Sequence, residues 1–270
     1  MSLLSVAPLN AKNIRNSIGR DGLNLLSELW IHQELDSTNN YLLTQAKKGA
    51  SRGTVCLAEM QSAGKGQYNR TWISPPIGNI YLSLLWNFYN TIQLSGLSLA
   101  IGVGILRAFE EEGITFLRLK WPNDIILLDF RKLGGILIEL ISQGNLITAV
   151  IGVGININVS ESYQKKIDQS YGSLSEMMGE QPVFRDYLAG RLIHHLLLTL
   201  SCFEKDGLST FLEDWQKWDL YYNKKVYLYT NGGVIYGTAC GVDTLGNLLF
   251  EEKSQRSCYS SGKISLRLAQ

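Results

Sequence analysis

The stretch Gly64-Lys65-Gly66-Gln67-Tyr68-Asn69-Arg70-Thr71-Trp72 is a polar, glycine-punctuated loop between two apolar runs, residues 53–58 and 80–86, that have the character of buried strands. Glycines on both sides of the lysine let the backbone approach a ligand and point its N–H groups at an anion. Arg70 suits phosphate, and Trp72 suits a base or another ring. The loop favours a lid over a nucleotide-like ligand, although a solvated connection with two turn glycines explains it equally well.

Composition limits the class of protein. The chain has 270 residues, of which 45% are apolar and 18% charged, with a formal net charge of +1. Near-zero charge gives no global attraction to nucleic acid or anionic membranes, and no apolar run reaches the roughly 18 residues of a membrane span. No secretory signal is visible, and the four cysteines lack C-x-x-C spacing. We therefore expect a cytoplasmic globular protein without a structural metal.

A strand over residues 28–35 leads into Asp36-Ser37-Thr38-Asn39, which offers the residue types that best cap a helix N-terminus. Capping alone explains Ser37 and Thr38. A hydroxyl and free N–H groups at a helix start can also hold a polar ligand. The two roles are compatible, because one residue can cap the helix while its neighbour binds.

The pattern downstream indicates a mixed α and β chain. It predicts, in order, a core helix over residues 94–112, strands over 116–120, 125–128, 133–141 and 146–157, and helices over 184–203 and 208–218. Pro122 biases Trp121 towards an extended conformation, so a sharp corner is expected between the first two of these strands.

From Lys224 onward, short alternating strands are separated by glycine-containing turns, which is typical of a small β barrel or sandwich. We therefore place a domain boundary near Asn223. The expected domains are residues 1–222, which carry the long helices, and residues 223–270.

Four separated motifs resemble those of the biotin protein ligases and occur in the order found in that family. They are Asp36-Ser37-Thr38-Asn39, the loop from Gly64 to Trp72, Lys120-Trp121-Pro122-Asn123-Asp124, and Arg131-Lys132-Leu133-Gly134-Gly135-Ile136-Leu137. Gly152-Val153-Gly154-Ile155-Asn156 and Ile264-Ser265-Leu266-Arg267 match as well. The resemblance implies an α+β fold, in which a mixed-sheet catalytic domain of the biotin/lipoate ligase type is followed by a small C-terminal SH3-like β barrel.

The same resemblance implies an ATP-dependent biotin–[biotin carboxyl-carrier protein] ligase. Such an enzyme converts biotin and ATP, with Mg²⁺, to biotinyl-5′-AMP and pyrophosphate. It then transfers biotin to a lysine of a biotin carboxyl carrier domain of a biotin-dependent carboxylase. No permanently bound cofactor and no metal site made by the protein alone are expected, and homodimerisation is left open.

The resemblance also implies which residues form the site, because each family role can be carried over to the residue at the matching motif position. Lys132 and Arg70 are the expected catalytic residues. The expected biotin-binding residues are Ser37, Thr38, Asn39, Gln61, Lys65, Gly66, Gln67, Lys132 and Gly135. The expected nucleotide-binding residues are Arg70, Trp72, Asn123, Asp124 and Asn156. A fixed ammonium suits the reaction, because a carboxylate must approach a phosphate, and a loop over the hydrolysable product excludes water.

This loop departs from the G-R-G-R-x-G-R pattern that is common in the family. Lys65 and Gln67 stand in place of arginines, and Asn69 stands in place of a glycine. Lysine keeps the charge but loses the bidentate fork, glutamine removes a cation, and asparagine can adopt a left-handed conformation at some cost. We expect retention of the adenylate to be weaker than with an arginine-bearing loop.

The sequence also bears on DNA binding and on rival functions. Only about 35 residues precede Asp36, so we expect a short form without an N-terminal winged helix and without specific DNA binding. The rivals are a lipoate ligase or octanoyltransferase and a non-catalytic biotin sensor. A Rossmann site and a P-loop are disfavoured, because neither glycine motif is complete.

Overall fold

A seven-stranded mixed sheet organises the N-terminal part of the chain. The computed structural model describes residues 7–76, 78–89, 94–159, 170–179, 183–262 and 264–269, without the side chain of Gln143. The strands are β1 (Leu29–Leu35), β2 (Val55–Gln61), β3 (Ile80–Tyr89), β4 (Leu117–Lys120), β5 (Asp124–Leu127), β6 (Lys132–Gln143) and β7 (Leu146–Ile155). Their order is β1-β2-β3-β7-β6-β5-β4, with β1 parallel to β2 and the other neighbours antiparallel.

Helices cover both faces of this sheet. They are α1 (Ala11–Ser17), α2 (Arg20–Leu25), α3 (Thr38–Lys47), α4 (Leu97–Glu111), α5 (Leu174–Met178), α6 (Arg185–Asp206) and α7 (Leu212–Trp218). The large core contains the buried faces of α4 and α6, and α3 covers the opposite face through a small cluster around Leu42, Cys56, Leu85 and Val150. Because side chains alternate along a strand, every second residue of β3, β6 and β7 faces α3.

A buried ion pair secures the segment before α1 to the sheet and to α6. Arg185 donates to the two Glu59 carboxylate oxygens at 2.6 and 3.0 Å, and the side chains are 4% and 3% exposed. The Leu9 N–H donates to Glu59, and Arg185 also donates to the Ala7 carbonyl oxygen. The carboxylate thus has a partner on each of its oxygens, which offsets the cost of burying a charge pair.

The C-terminal residues form a separate antiparallel sheet. Its strands are β8 (Lys224–Thr230), β9 (Gly233–Val242), β10 (Leu248–Glu252), β11 (Gln255–Tyr259) and β12 (Ser265–Leu268), in the order β11-β10-β9-β8-β12. Trp121, whose peptide bond to Pro122 is cis, donates its indole N–H to the Gly246 carbonyl oxygen at 3.0 Å. This bond joins the corner before β5 to the turn between β9 and β10.

The α+β fold class is confirmed, and the predicted strands and long helices are present. The sequence patterns did not predict α2 or α5, which are six and five residues long. The helix expected over residues 208–218 begins as a 3₁₀ turn at Ser209–Phe211. In the part of the chain that the structure describes, no helix has the length and apolarity to cross a membrane. The boundary near residue 223 stays a prediction.

Candidate functional site

Two rows of residues across β3, β7 and β6 form the floor of a cleft beside α3. In the first row, Gly154 pairs with Tyr81 on one side and with Gly135 on the other. In the second row, Gly152 pairs with Ser83 and Leu137. These glycines are required by close packing, because a Cβ atom on Gly152 would lie 2.4 Å from Asn39 Oδ1, and one on Gly154 would lie 2.7 Å from the Trp72 ring.

The cleft above this floor measures about 500 Å³, including the solvent at its mouth. Every predicted biotin-binding residue lines it, as do the predicted nucleotide-binding residues Trp72 and Asn123. The remaining wall residues, which were not among the predicted site residues, are Tyr81, Leu82, Ile136, Leu137, Gly152, Val153 and Gly154. Motifs separated by more than a hundred residues thus meet at one face of the sheet.

The start of α3 forms one wall. Ser37 is the N-cap and accepts from the Asn40 N–H, as predicted from the cap residues. The Thr38 N–H donates to Gln61 Oε1 at 2.8 Å, and Gln61 Nε2 donates to Ser74 Oγ at 2.9 Å. Thr38 is buried, so these bonds fix both its backbone and the neighbouring Gln61 side chain.

Asn39 is held by two residues that the sequence motifs did not identify. Its Nδ2 donates to Glu139 Oε2 at 2.9 Å, and its Oδ1 accepts from the Ser83 hydroxyl at 2.6 Å. Ser83 is fully buried in β3, and Glu139 lies in β6, one hundred residues from Asn39. The alternation of side chains in these strands could have placed both residues on the α3 face, but the sequence carried no signal for the contacts.

The glycine-containing loop folds back over the cleft. Lys65 and Thr71 pair as an isolated antiparallel bridge. Lys65 Nζ donates to Asn40 Oδ1 at 2.5 Å and lies 3.8 Å from Glu139 Oε1. At the loop tip Tyr68 and Asn69 have φ values of 58° and 59°, so the left-handed conformation expected of Asn69 is present.

Trp72 closes the other end of the loop. Its indole ring lies against Gly154, and its Nε1 has no hydrogen-bond partner among the described residues although it is buried. Lys132 Nζ lies 5.4 Å from the centre of the same ring. A flat ring with an unused donor, next to a cation, is suited to a base and its attached phosphates.

Lys132, which lines the cleft, forms an ion pair with Asp124, which lies outside the lining. Lys132 Nζ lies 2.6 Å from Asp124 Oδ1, and the side chains are 18% and 21% exposed. Asn123 precedes this carboxylate and donates its Nδ2 to the Ile136 carbonyl oxygen at 2.8 Å, so the corner is fastened to β6. The predicted catalytic lysine is thus partly desolvated and oriented, which strengthens its interaction with an arriving anion.

Further cations surround this pair. Burial lowers the pKa of the Lys120 ammonium, and repulsion from Lys132, Arg267 and Arg70 lowers it further, while attraction to Asp124 raises it. Lys120 and Arg267 lie within the matched motifs but were not among the predicted site residues. Their residue types alone did not indicate whether they bind a ligand or only stabilise the fold. Four cations with one nearby carboxylate favour the binding of a multiply charged anion.

Three predicted nucleotide-binding residues lie outside the cleft lining, and one of them is Asp124, the ion-pair partner of Lys132. Arg70 is exposed, and its guanidinium makes no ion pair with the residues that the structure describes. Asn156 is buried and donates its Nδ2 to the Gly172 carbonyl oxygen at 3.3 Å. The binding and catalytic roles of all the predicted site residues remain predictions. The described residues also contain no group of three or more His, Cys, Asp or Glu side chains that could hold a metal ion.

Comparison with known proteins agrees with this arrangement. Residues 31–156 match the Biotin/lipoate A/B protein ligase family. The bifunctional ligase/repressor BirA of Salmonella typhimurium is 39% identical over 238 residues, which are 87% of this chain and 73% of the relative. The biotin–[acetyl-CoA-carboxylase] ligase of Mycobacterium tuberculosis is 28% identical over 95% of each chain.

A similar fold is found among solved structures. The biotin protein ligase from Aquifex aeolicus in complex with biotin and ATP superposes with a TM-score of 0.75 at 26% identity, covering 90% of this chain and all of the other. The sequence identity to BirA, the shared fold and the ordered motifs around one cleft lead to a single assignment. The chain belongs to the biotin/lipoate protein ligase family, among its biotin protein ligases.

Proposed function

We propose that this protein is an ATP-dependent biotin protein ligase. The observation that carries the proposal is one continuous cleft lined by the polar groups at the start of α3, by Lys132 and by Trp72, with the Lys132 ammonium 5.4 Å from the centre of the Trp72 ring. Biotin has a neutral ureido ring, an apolar chain and a carboxylate. The polar wall at the start of α3 suits the ureido ring, and the Lys132 ammonium suits the carboxylate.

The first half-reaction forms biotinyl-5′-AMP. A biotin carboxylate oxygen attacks the α-phosphorus of ATP, and the bond from this phosphorus to the bridging oxygen breaks, so that pyrophosphate leaves with the electron pair. Both reactants are anions. Lys132 offsets their repulsion and stabilises the charge on the phosphorus oxygens during the attack. Asp124 holds the ammonium at 2.6 Å until the anions arrive.

The nucleotide occupies the other end of the cleft. Trp72 presents its ring to the adenine, and Asn123 lies beside it on the fastened corner. The triphosphate is attracted by three cations that lie near one another, because the charges of Arg267 and Arg70 both act on Lys120. Mg²⁺ arrives with ATP as part of the co-substrate and neutralises the phosphate oxygens. Asn156, which is buried outside the cleft lining, is assigned to the adenine end from its place in the matched motif.

The second half-reaction transfers biotin to protein. The amine of a carrier lysine attacks the carbonyl carbon of the mixed anhydride, the bond to the phosphate oxygen breaks, and AMP leaves while the amine loses a proton. The acceptor is a carrier domain of a biotin-dependent carboxylase. We place the reaction in the cytoplasm, where ATP is available and the four free cysteines remain reduced. Homodimerisation and the absence of specific DNA binding are left as predictions.

The test is biotinylation of a purified carrier domain. The protein is incubated with MgATP, biotin and the carrier domain, and the carrier mass and released pyrophosphate are measured. We expect one biotin per carrier, dependent on ATP and abolished when the acceptor lysine is replaced by arginine. Lipoate in place of biotin should release little pyrophosphate. Equal use of lipoate, or biotin binding without labelling of the carrier, would contradict the proposal.

A further inference from the structure

The hydrogen bonds beneath the biotin end of the cleft form a directed chain, and Glu139 stands at its end. An ionised carboxylate can only accept hydrogen bonds. Asn39 must therefore direct its Nδ2 towards Glu139 Oε2, which lies at 2.9 Å, and its Oδ1 away from it. This choice fixes which end of the Asn39 amide is the acceptor.

The direction continues through two hydroxyl groups. Ser83 Oγ lies 2.6 Å from Asn39 Oδ1 and 2.7 Å from Thr38 Oγ1. The amide oxygen has no proton to give, so the single Ser83 proton goes to Asn39. Thr38 Oγ1 also lies 3.1 Å from Gln61 Oε1, which already accepts from the Thr38 N–H at 2.8 Å. The contact between Ser83 and Thr38 is shorter, at 2.7 Å, and needs a proton once the Ser83 proton is used, so it takes the Thr38 proton. Asn39 Oδ1 and Thr38 Oγ1 are both left with acceptor lone pairs.

We propose that Glu139 is a positioning residue that sets this direction, so that Asn39 and Thr38 present acceptors to the two ureido N–H groups of biotin. The inference rests on the proposed function and deepens it, because it concerns substrate choice. The dithiolane ring of lipoate has no N–H donor and would leave these buried acceptors unpaired, which penalises it. Glu139 touches Asn39 and lies near Lys65, and it acts on the substrate only through them.

A donor and acceptor exchange tests the direction of the chain. Asn39→Asp places two carboxylates against each other, where both cannot be ionised without a large cost. Adding Glu139→Gln makes residue 139 the donor and residue 39 the acceptor of their hydrogen bond, the reverse of the wild type. The substituted side chain at position 39 still offers an acceptor to the cleft. Lys65, at 3.8 Å from Glu139, and Asp36, joined through Asn40, are charged groups that also face this region.

Biotin affinity is measured by calorimetry without ATP between pH 6 and pH 8, alongside biotin- and lipoate-dependent pyrophosphate release. We expect Asn39→Asp to bind biotin at least about tenfold more weakly at pH 8 and to recover as the pH falls, because a proton can then bridge the carboxylates. The double variant should regain most of the affinity and lose this pH dependence. Glu34→Gln, an exposed glutamate on β1, is the matched control.

The outcomes separate the two proposals. If the wild type releases no pyrophosphate with biotin, the proposed function fails. If the wild type is active but adding Glu139→Gln to Asn39→Asp neither restores biotin affinity nor removes the pH dependence, Glu139 is merely structural and the inference fails. Thermal melting of each variant distinguishes loss of folding from loss of the directed chain.

Discussion

Gly154→Ala is expected to weaken ATP binding while leaving biotin binding largely intact. The new methyl group would lie 2.7–2.8 Å from three atoms of the Trp72 indole ring, which is closer than a Cβ contact allows. The ring is rigid, so it must leave the floor of the cleft. Stacking of a base on an aromatic side chain contributes about 1–3 kcal/mol, so the KM for ATP should rise by about 5- to 150-fold.

The assay is biotin-dependent pyrophosphate release over a range of ATP concentrations, with biotin affinity measured separately in the absence of ATP. Gly232→Ala is the control, because its new methyl group would have only Thr230 Oγ1 nearby, at 3.7 Å. An unchanged KM for ATP would show that Trp72 does not contact the nucleotide. Equal losses of ATP and biotin binding, with a lower melting temperature, would show general damage to the sheet and would refute the reasoning.

Three further predictions concern buried groups. Burial raises the pKa of Asp219 from 3.8 to about 6, so this carboxyl ionises at a lower pH in the unfolded protein than in the folded protein. The unfolding free energy should fall by up to about 3 kcal/mol as pH rises from about 4 to 7, and urea melts of Asp219→Asn should lack this decline. Arg185→Met leaves Glu59 buried without its partner, so the unfolding free energy should drop by about 3–5 kcal/mol, and an unchanged urea midpoint would be inconsistent with a buried pair. Burial raises the pKa of Cys56 to about 12, so a disulfide reagent at neutral pH should label exposed Cys258 in the folded protein and Cys56 only after unfolding, as peptide mass spectrometry can show.

Local signals in the sequence predicted the elements that carry the site. The cap residues before α3 are a local signal, and Ser37 does cap that helix. Apolar runs and alternation predicted β3, β6 and β7. The motifs then predicted most of the polar lining of the cleft, because these motifs lie at the ends of regular elements, where residue type and position are closely linked.

The support beneath the site could not be predicted in the same way. Glu139 and Ser83 lie on strands whose register is set by tertiary pairing, and each meets Asn39 from far away in the sequence. Lys120 and Arg267 become neighbours only when the C-terminal sheet packs beside the corner at Trp121. Contacts of this kind depend on the assembled sheet and leave no periodic pattern in the chain.

The central claim is that Lys132 brings the biotin carboxylate and the α-phosphate together, and biotin-dependent exchange of labelled pyrophosphate into ATP measures that step directly. We expect Lys132→Ala to lower the exchange rate by at least about 100-fold, as for the loss of a group that stabilises charge in the transition state. Lys47→Ala, an exposed lysine on α3, should exchange like the wild type. A folded Lys132→Ala protein that exchanges pyrophosphate at the wild-type rate would contradict the account.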